Sequence, residues 1–318
     1  MGQLFEIEAA ARVADTDFLK EVLHGLSLPQ KMLPSRFFYD ERGSELFEEI
    51  TRLSEYYPTR TEIALLKSCR ASIAAYVPPG AAVVEFGSGS SQKTGLLLEA
   101  LDRPSAYIPI EISASALYPA AMRIQQNFPD LRVHPILGGF HDLASLKLPS
   151  SSEARTGFFP GSTIGNMTPG EAASFLHLAR RFLGPGALFI IGADLQKPLD
   201  ILLPAYNDAQ GVTAAFNRNI LSRINRELGG DFNPGLFEHL ALYNESDGRI
   251  EMHLRALRTH YAQAAGQVFE FQEGETIHTE NSYKYTVLGF HDLARNGGWT
   301  PLRTWIDENN LFSIHLLG

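Results

Sequence analysis

One cysteine, Cys69, is all that 318 residues offer, so an internal disulfide is excluded and no cysteine cluster exists to hold structural zinc. That usage fits a reducing cytoplasm. Basic residues are short as well: 27 Lys+Arg against 36 Asp+Glu leave a net charge of −9, which gives no general attraction for phosphate backbones or anionic membranes. No nucleic-acid partner is expected. The first ten residues carry Glu6 and Glu8 and lack the basic start and apolar run of a secretory signal. Gly2 has the position of a myristoylation start, but Glu6 stands where that motif requires Ser or Thr. The strongest apolar run, Ala187 to Ala193, falls far short of the roughly 20 residues that span a bilayer. No membrane anchor is expected, and the ten histidines, lacking HExxH or comparable spacing, predict no metal.

What is present is core material: 44% apolar and 20% charged residues describe a globular chain rather than a disordered or collagen-like one. At roughly 150 residues per domain the length suggests about two domains. From Thr59 onward helices and short apolar strands alternate. A helix at Thr59 to Tyr76 is closed by Pro78-Pro79-Gly80, and Ala81 to Phe86 reads as a buried strand. Strands follow at Tyr107 to Ile112, Val133 to Leu137, Thr156 to Thr163 and Ala187 to Ala193, with helices at Lys93 to Leu101, Ser115 to Asn127 and Glu171 to Leu183 between them. This alternation predicts βαβ units and a parallel sheet covered on both faces.

The pattern then changes. Pro198 to Leu228 reads as helical, and Glu238 to Tyr243 with Arg249 to Leu257 reads as a hairpin around Asp247-Gly248. Gln267 to Tyr285 is extended, and the chain ends with a helix (Thr286 to Asn296) and two strands (Trp299 to Ile306, Leu311 to Leu317) around Asn309-Asn310. The fold class expected is α/β: a seven-stranded Rossmann-like sheet of the methyltransferase type, ending in an antiparallel hairpin, with a second, inserted α+β domain. The division expected is 59–195 with 286–318 for the sheet, and 1–58 with 196–285 for the other domain.

The turn after the first strand reads Glu85-Phe86-Gly87-Ser88-Gly89-Ser90-Ser91-Gln92-Lys93. Two glycines allow a tight turn and close approach to a ligand, while Gln92 replaces the third glycine of the dinucleotide fingerprint and weakens a nicotinamide reading. Glu111 ends the second strand, 22 residues beyond Gly89, where a carboxylate can accept from both hydroxyls of a ribose. Lys93 is either a partner for a ligand carboxylate or a solvated helix-start lysine. After the third strand comes Gly138-Gly139-Phe140-His141-Asp142, where enzymes of this fold hold adenine, although Phe140 equally suits a core.

Four further peptides carry a resemblance: Leu33-Pro34-Ser35-Arg36-Phe37-Phe38-Tyr39-Asp40-Glu41-Arg42-Gly43-Ser44, Glu55-Tyr56-Tyr57-Pro58-Thr59-Arg60-Thr61-Glu62, Gly161-Ser162-Thr163-Ile164-Gly165-Asn166 and Tyr206-Asn207-Asp208, together with Thr279-Glu280-Asn281-Ser282-Tyr283-Lys284-Tyr285. From about residue 30 to its end the chain resembles the histidine-specific Nα-methyltransferases of ergothioneine biosynthesis. The resemblance implies an enzyme that moves three methyl groups from S-adenosylmethionine to the α-amine of L-histidine, giving hercynine. It implies substrate contacts at Tyr39, Tyr56, Asn166, Tyr206, Met252, Glu280 and Ser282, with Tyr39 and Asn166 orienting the amine. Cofactor contacts are implied at Gly87, Ser88, Gly89, Lys93, Glu111, Gly139 and Phe140. The sheet would then hold S-adenosylmethionine and the other domain L-histidine, in a cytoplasmic protein whose expected form is a monomer. Two departures stand out: the family commonly has Asp at the position of Glu111, and an acidic residue where Gly139 precedes Phe140, with Asp142 as a substitute.

Several of these residues have a reading of their own. In an extended segment Glu280 and Ser282 share a face, so one can accept from an imidazole N–H while the other adapts to the second nitrogen; they equally suit a solvated face with His278 and Lys284. Thr168-Pro169-Gly170-Glu171 explains a helix start but leaves Asn166 over, just past the fourth strand. Met252 shares a face with Ile250 and Leu254 and suits plain core packing, and Tyr39 and Tyr56 suit structural aromatics. The rivals are an N-methyltransferase for another amino acid or amine, a cofactor-binding regulator without catalysis, and a Rossmann oxidoreductase.

Overall fold

The computed structural model describes residues 17–89, 92–139, 143–149 and 153–318. They fall into two compact units, the described residues up to Tyr56 with Pro198–Ser282, and Tyr57–Lys197 with Tyr283–Gly318. The first unit opens with α1 (residues 17–26), β1 (Lys31–Met32), a 3-10 turn at Ser35–Phe38 and α2 (Glu41–Thr51). The Asp40 carboxylate caps α2 by accepting from the Gly43 N–H at 2.7 Å, which satisfies a donor that a helix start otherwise leaves orphaned.

The second unit follows: α3 (Tyr57–Ala74), β2 (Ala82–Phe86), α4 (Gln92–Leu98), β3 (Ala106–Glu111), α5 (Ala114–Asn127), β4 (Arg132–Val133), β5 (Ile136–Leu137), β6 (Arg155–Phe159), α6 (Pro169–Leu183) and β7 (Leu188–Asp194). After an excursion through the first unit, α9 (Val287–Asn296), β13 (Pro301–Ile306) and β14 (Phe312–Leu317) complete it. The strand order is β13-β14-β7-β6-β2-β3-β4, with β5 also on β3. Strands β4 and β5 both run parallel to β3, so they are one edge strand broken at His134-Pro135, because proline cannot donate to the ladder. Seven strand positions result, with β14 antiparallel to β7. This is the fold class expected.

Alternation along β2 shows why the sheet is covered twice. Val84 and Phe86 enter one core with Ile110, Phe159, Phe175 and Phe189, whereas Val83 enters the other with Leu66, Ile73, Tyr107, Ile190 and Ile314. The capping box expected at Thr168 is present, with Glu171 reaching back and Pro169 opening α6. Strand β6 stops at Phe159 rather than Thr163, because Pro160 removes a ladder donor and Gly161 takes a φ of 82°.

The excursion holds α7 (Leu199–Tyr206), α8 (Val212–Leu228), β8 (Phe237–Asn244), β9 (Arg249–Ala256), β10 (His260–Ala264), β11 (Gln267–Phe271) and β12 (Thr276–Tyr283), the last reaching into the second unit by one residue. The single helix expected over Pro198 to Leu228 is thus two. Asp208 ends the first by starting the second: its carboxylate accepts from Val212 N at 3.0 Å and Thr213 N at 2.8 Å. The hairpin is present, but β8 and β9 pair from Asn244 to Arg249, so its loop has four residues rather than two. The extended stretch from Gln267 splits at the Glu273-Gly274 turn, and its first half pairs with β10, a strand the sequence reading missed. The sheet order is β1-β12-β9-β8, with α8 packed on β8 and β9. Among the described residues no helix is long and apolar enough to cross a membrane.

Candidate active site

In the second unit the chemistry gathers where the parallel strands end, as open α/β sheets dictate. Leaving β2, the chain turns through Gly87 (φ 77°) and Gly89 (φ 41°), a left-handed backbone that glycine adopts without penalty. Open space lies where a side chain at Gly89 would project. Between them the Ser88 hydroxyl is buried and has no hydrogen-bond partner among the described residues, which is costly unless a ligand supplies one. Glu111 closes β3 beside this turn. Its Oε1 accepts from Ile112 N at 2.9 Å and Ser113 N at 3.2 Å. Burial raises its acid above the ordinary carboxylate value, while the N–H groups of Ser113, Ile112, Gly89 and Ser88 pull it back. An acceptor-rich carboxylate, an orphan hydroxyl and open space over a glycine suit a nucleoside with vicinal hydroxyls. Gly138 N donates to Glu111 O at 3.0 Å, so the Gly138-Gly139 loop starts alongside and Gly139 is buried there. Phe140 and Asp142, expected near adenine, lie outside the described residues.

Two buried carboxylates hold this turn in place: Glu85, the acidic residue before the glycines, and Glu62, to which the sequence reading gave no role. Glu85, at the end of β2, accepts from Thr94 Oγ1 of α4 at 2.7 and 2.9 Å and from the Tyr107 hydroxyl. Burial pushes its acid up to about 8, against the hydrogen bonds of Tyr107 and Thr94 and the charge of Lys93. Glu62, from α3 and 2% exposed, pairs with Lys93 at 2.5 Å and accepts from Gly161 N at 2.9 and 3.0 Å. Lys93 is therefore not a solvated helix-start lysine. Its ammonium is held by Glu62 at the ends of β2 and β6. Glycine at 192 is what makes room, because a Cβ there would lie 2.1 Å from Glu62 Oε1.

A third charged group closes β7. Asp194 accepts from the Tyr57 hydroxyl at 2.7 Å and from Lys284 Nζ at 2.9 Å, and it pairs with Lys197. Burial pushes the Lys197 ammonium down to about 8, although Asp194 pulls it up. Asp194 N donates to Ser162 Oγ at 2.9 Å, fixing the loop that leads into the 3-10 turn Thr163–Asn166. Asn166 ends that turn half-buried. The reading of Glu280, Ser282, His278 and Lys284 as a solvated face fails at Lys284, whose side chain is fully buried.

In the first unit the predicted tyrosines come together through two phenylalanines. Tyr39 meets Phe47 and Phe216 edge-on at 5.6 and 5.7 Å, Phe47 meets Tyr56 at 6.2 Å, and Tyr56 meets Tyr206 at 6.5 Å. Edge-to-face packing is a preferred geometry for such ring pairs and fixes their orientation. The Tyr206 and Ser282 hydroxyls lie 2.7 Å apart. Tyr206 is itself placed by His239, whose Nε2 donates to Tyr206 O at 2.8 Å while Nδ1 accepts from Asn217 Nδ2 at 2.9 Å. Burial holds the His239 imidazolium below its usual value, which suits a neutral ring with this donor and acceptor. Met252 is fully buried in β9, so its core-packing role is met. Glu280 stands half-buried in β12, two residues before Ser282. The family resemblance marked Tyr39, Tyr56 and Tyr206, but nothing in the sequence marked Phe216 or His239, which lie on other elements.

Comparison with known proteins places the chain in a family. The chain is 39% identical over 312 residues to a histidine N-alpha-methyltransferase of Mycolicibacterium smegmatis, covering 96% of each chain. It is 31% identical to ergothioneine biosynthesis protein 1 of Neurospora crassa, over 96% of this chain and 36% of that one. A 4-dimethylallyltryptophan N-methyltransferase of Epichloe festucae var. lolii is 35% identical, over 90% of each. The model of the histidine-specific, S-adenosylmethionine-dependent methyltransferases matches residues 18–318, and the chain belongs to that family.

Proposed function

We propose that the protein trimethylates the α-amine of L-histidine with S-adenosylmethionine, giving hercynine on the route to ergothioneine. The family match from residue 18 to 318 carries this reading. The second unit would bind the cofactor: Glu111 accepts from the ribose hydroxyls, Ser88 Oγ gains its missing partner, Gly87 and Gly89 allow close approach, and Lys93 steers the cofactor carboxylate while Glu62 holds it. Gly139 and Phe140 would line the adenine. When bound, the sulfonium supplies an activated methyl and a neutral leaving group, so no metal is required by the chemistry.

The chain's own work is then alignment. Asn166 and Tyr39 orient the amine, and Tyr206 donates to the substrate carboxylate. Glu280 accepts from an imidazole N–H, Ser282 serves the other nitrogen, and Met252 and Tyr56 pack on the ring. The amine must be neutral, whereas an α-ammonium has a reference value of about 7.7 to 8.0 at a chain terminus and a higher one in a free amino acid. A neighbouring positive charge lowers it, so water suffices to carry protons away and no strong base is assigned.

The Epichloe relative favours one second reading, a larger amino-acid substrate on the same scaffold. Incubation with S-adenosylmethionine and single amino acids, followed by mass spectrometry, separates the two. Histidine alone should gain one, two and three methyl groups; transfer to a tryptophan derivative instead would select the second reading. Glu280→Ala should cut histidine turnover sharply and spare cofactor binding, since a site built to hydrogen-bond a polar group discriminates by about 10⁴ to 10⁵. Unchanged histidine kinetics in that variant would remove Glu280 from the pocket.

A further inference from the structure

We propose that His253 and His278, with Glu251 behind them, form a binding site for a borderline divalent cation of the Zn²⁺ class on the sheet of the first unit. Glu251 and His253 share one face of β9, and His278 comes from its neighbour β12. One ligand atom from each of the three lies within 4.8 Å of the others. The two rings are nearly parallel, 15° apart, with centroids at 4.7 Å.

The hydrogen bonds decide which nitrogens are available. His253 Nε2 lies 2.9 Å from Glu251 Oε2, and His278 Nε2 lies 3.0 Å from the Glu280 carbonyl. An ionised carboxylate and a carbonyl only accept, so both Nε2 atoms donate and both Nδ1 atoms present lone pairs in the neutral rings. This is the arrangement by which an outer carboxylate or carbonyl orients a metal-ligating histidine. His253 Nδ1 is buried without a partner among the described residues, in a residue only 7% exposed, an orphan that a cation would satisfy.

Glu251 is held for the orienting role. Its Oε1 accepts from Asn244 Nδ2 at 2.9 Å and from Arg249 Nε at 2.8 Å, leaving Oε2 to His253. Two imidazoles select Zn²⁺, Co²⁺, Ni²⁺ or Cu²⁺ over Mg²⁺ or Ca²⁺. The ion would tie β9 to β12, the strands that carry Met252, Glu280 and Ser282, and takes no part in methyl transfer. Sequence spacing hid the site because His278 lies 25 residues from His253.

Co²⁺ titration of the untagged, chelator-treated full chain tests this, since nitrogen ligation produces visible ligand-field bands whatever the enzyme's activity. One equivalent should bind and be displaced by Zn²⁺. His278→Ala should abolish the bands, and Glu251→Gln should weaken binding about 10- to 100-fold, with circular dichroism confirming that each variant is folded. Glu251→Gln keeps the side chain's shape, so a collapse of one variant leaves the other informative. Absence of stoichiometric binding, or bands that persist in folded His278→Ala, would overturn the proposal.

Discussion

The two units solve the problem of buried polarity in opposite ways. Around the strand ends of the second unit, Glu62, Glu85 and Asp194 are buried acidic side chains, each gripped by several donors. In the first unit the groups that hydrogen-bond to Tyr206, or place its partners, are neutral: two hydroxyls, an amide and an imidazole, beside the ring of Tyr56. Breaking a buried ion pair by removing one partner costs about 3–5 kcal/mol, whereas a neutral hydrogen bond contributes about 0.5–1.5 kcal/mol. The first arrangement fixes backbone, including the Gly161 N–H. The second places side chains, through single neutral hydrogen bonds and ring contacts.

Glu62→Ala attacks that contrast where it is strongest. It strands Lys93 and the Gly161 N–H together, so urea denaturation should show a loss of about 3–5 kcal/mol. Cofactor affinity should fall with it, because Lys93 loses its restraint. Glu62→Gln keeps the acceptor for Gly161 and should lose less. If the alanine variant costs under about 1 kcal/mol, Glu62 is a surface-like pair and the contrast collapses.

Glu85 sharpens the comparison through pH. Its acid is raised from 4.5 to about 8 in the folded chain. Below pH 4.5 folded and unfolded chains both hold the proton; between 4.5 and about 8 only the folded chain keeps it. Its contribution to stability is therefore fully present at low pH and is lost as pH rises through about 8, with a slope of at most about 1.4 kcal/mol per pH unit. The buried His239 and His315, both held below the usual imidazolium value by burial, tilt the other way. The informative quantity is thus the difference between wild type and Glu85→Gln, which mimics the protonated acid. Measured by denaturation at pH 5.5 and 7.5, that difference should move about 2 kcal/mol in favour of the variant at the higher pH. A constant difference would mean that Glu85 is ionised throughout.

These charges also mark the limit of what the sequence discloses. The βαβ alternation, the turn at Gly87 and the terminal hairpin were legible, because period, glycine and turn residues are local signals. So was the switch to antiparallel chemistry after β7. The break between α7 and α8 was not, since Asp208 reads as one polar residue in a helical run until its carboxylate is seen accepting from Val212 and Thr213. Glu62 was hidden for a different reason. Its partners Lys93 and Gly161 lie 31 and 99 residues away, and a lone Glu in α3 looks like solvated surface until the chain is folded. Similarly, the resemblance named Tyr39, Tyr56 and Tyr206, but Phe47 and Phe216, which set their angles, carry no motif.

The mildest expected change belongs to the neutral side. Tyr206→Phe deletes the hydroxyl 2.7 Å from Ser282 Oγ but keeps the ring against Tyr56 and the backbone carbonyl that His239 holds. Stability should fall by about 1 kcal/mol. Because Ser282→Ala removes the other end of the same bond, the double variant should cost less than the two singles added, with a coupling of about 0.5–1.5 kcal/mol. If the Tyr206 hydroxyl also donates to the substrate carboxylate, the KM for histidine should rise by more than the stability loss accounts for, while Ser282→Ala moves it differently, through the imidazole. A Tyr206→Phe cost as large as that of Glu62→Ala would show that the hydroxyl pair is as rigidly committed as the buried charges, and the two units would then not differ in kind.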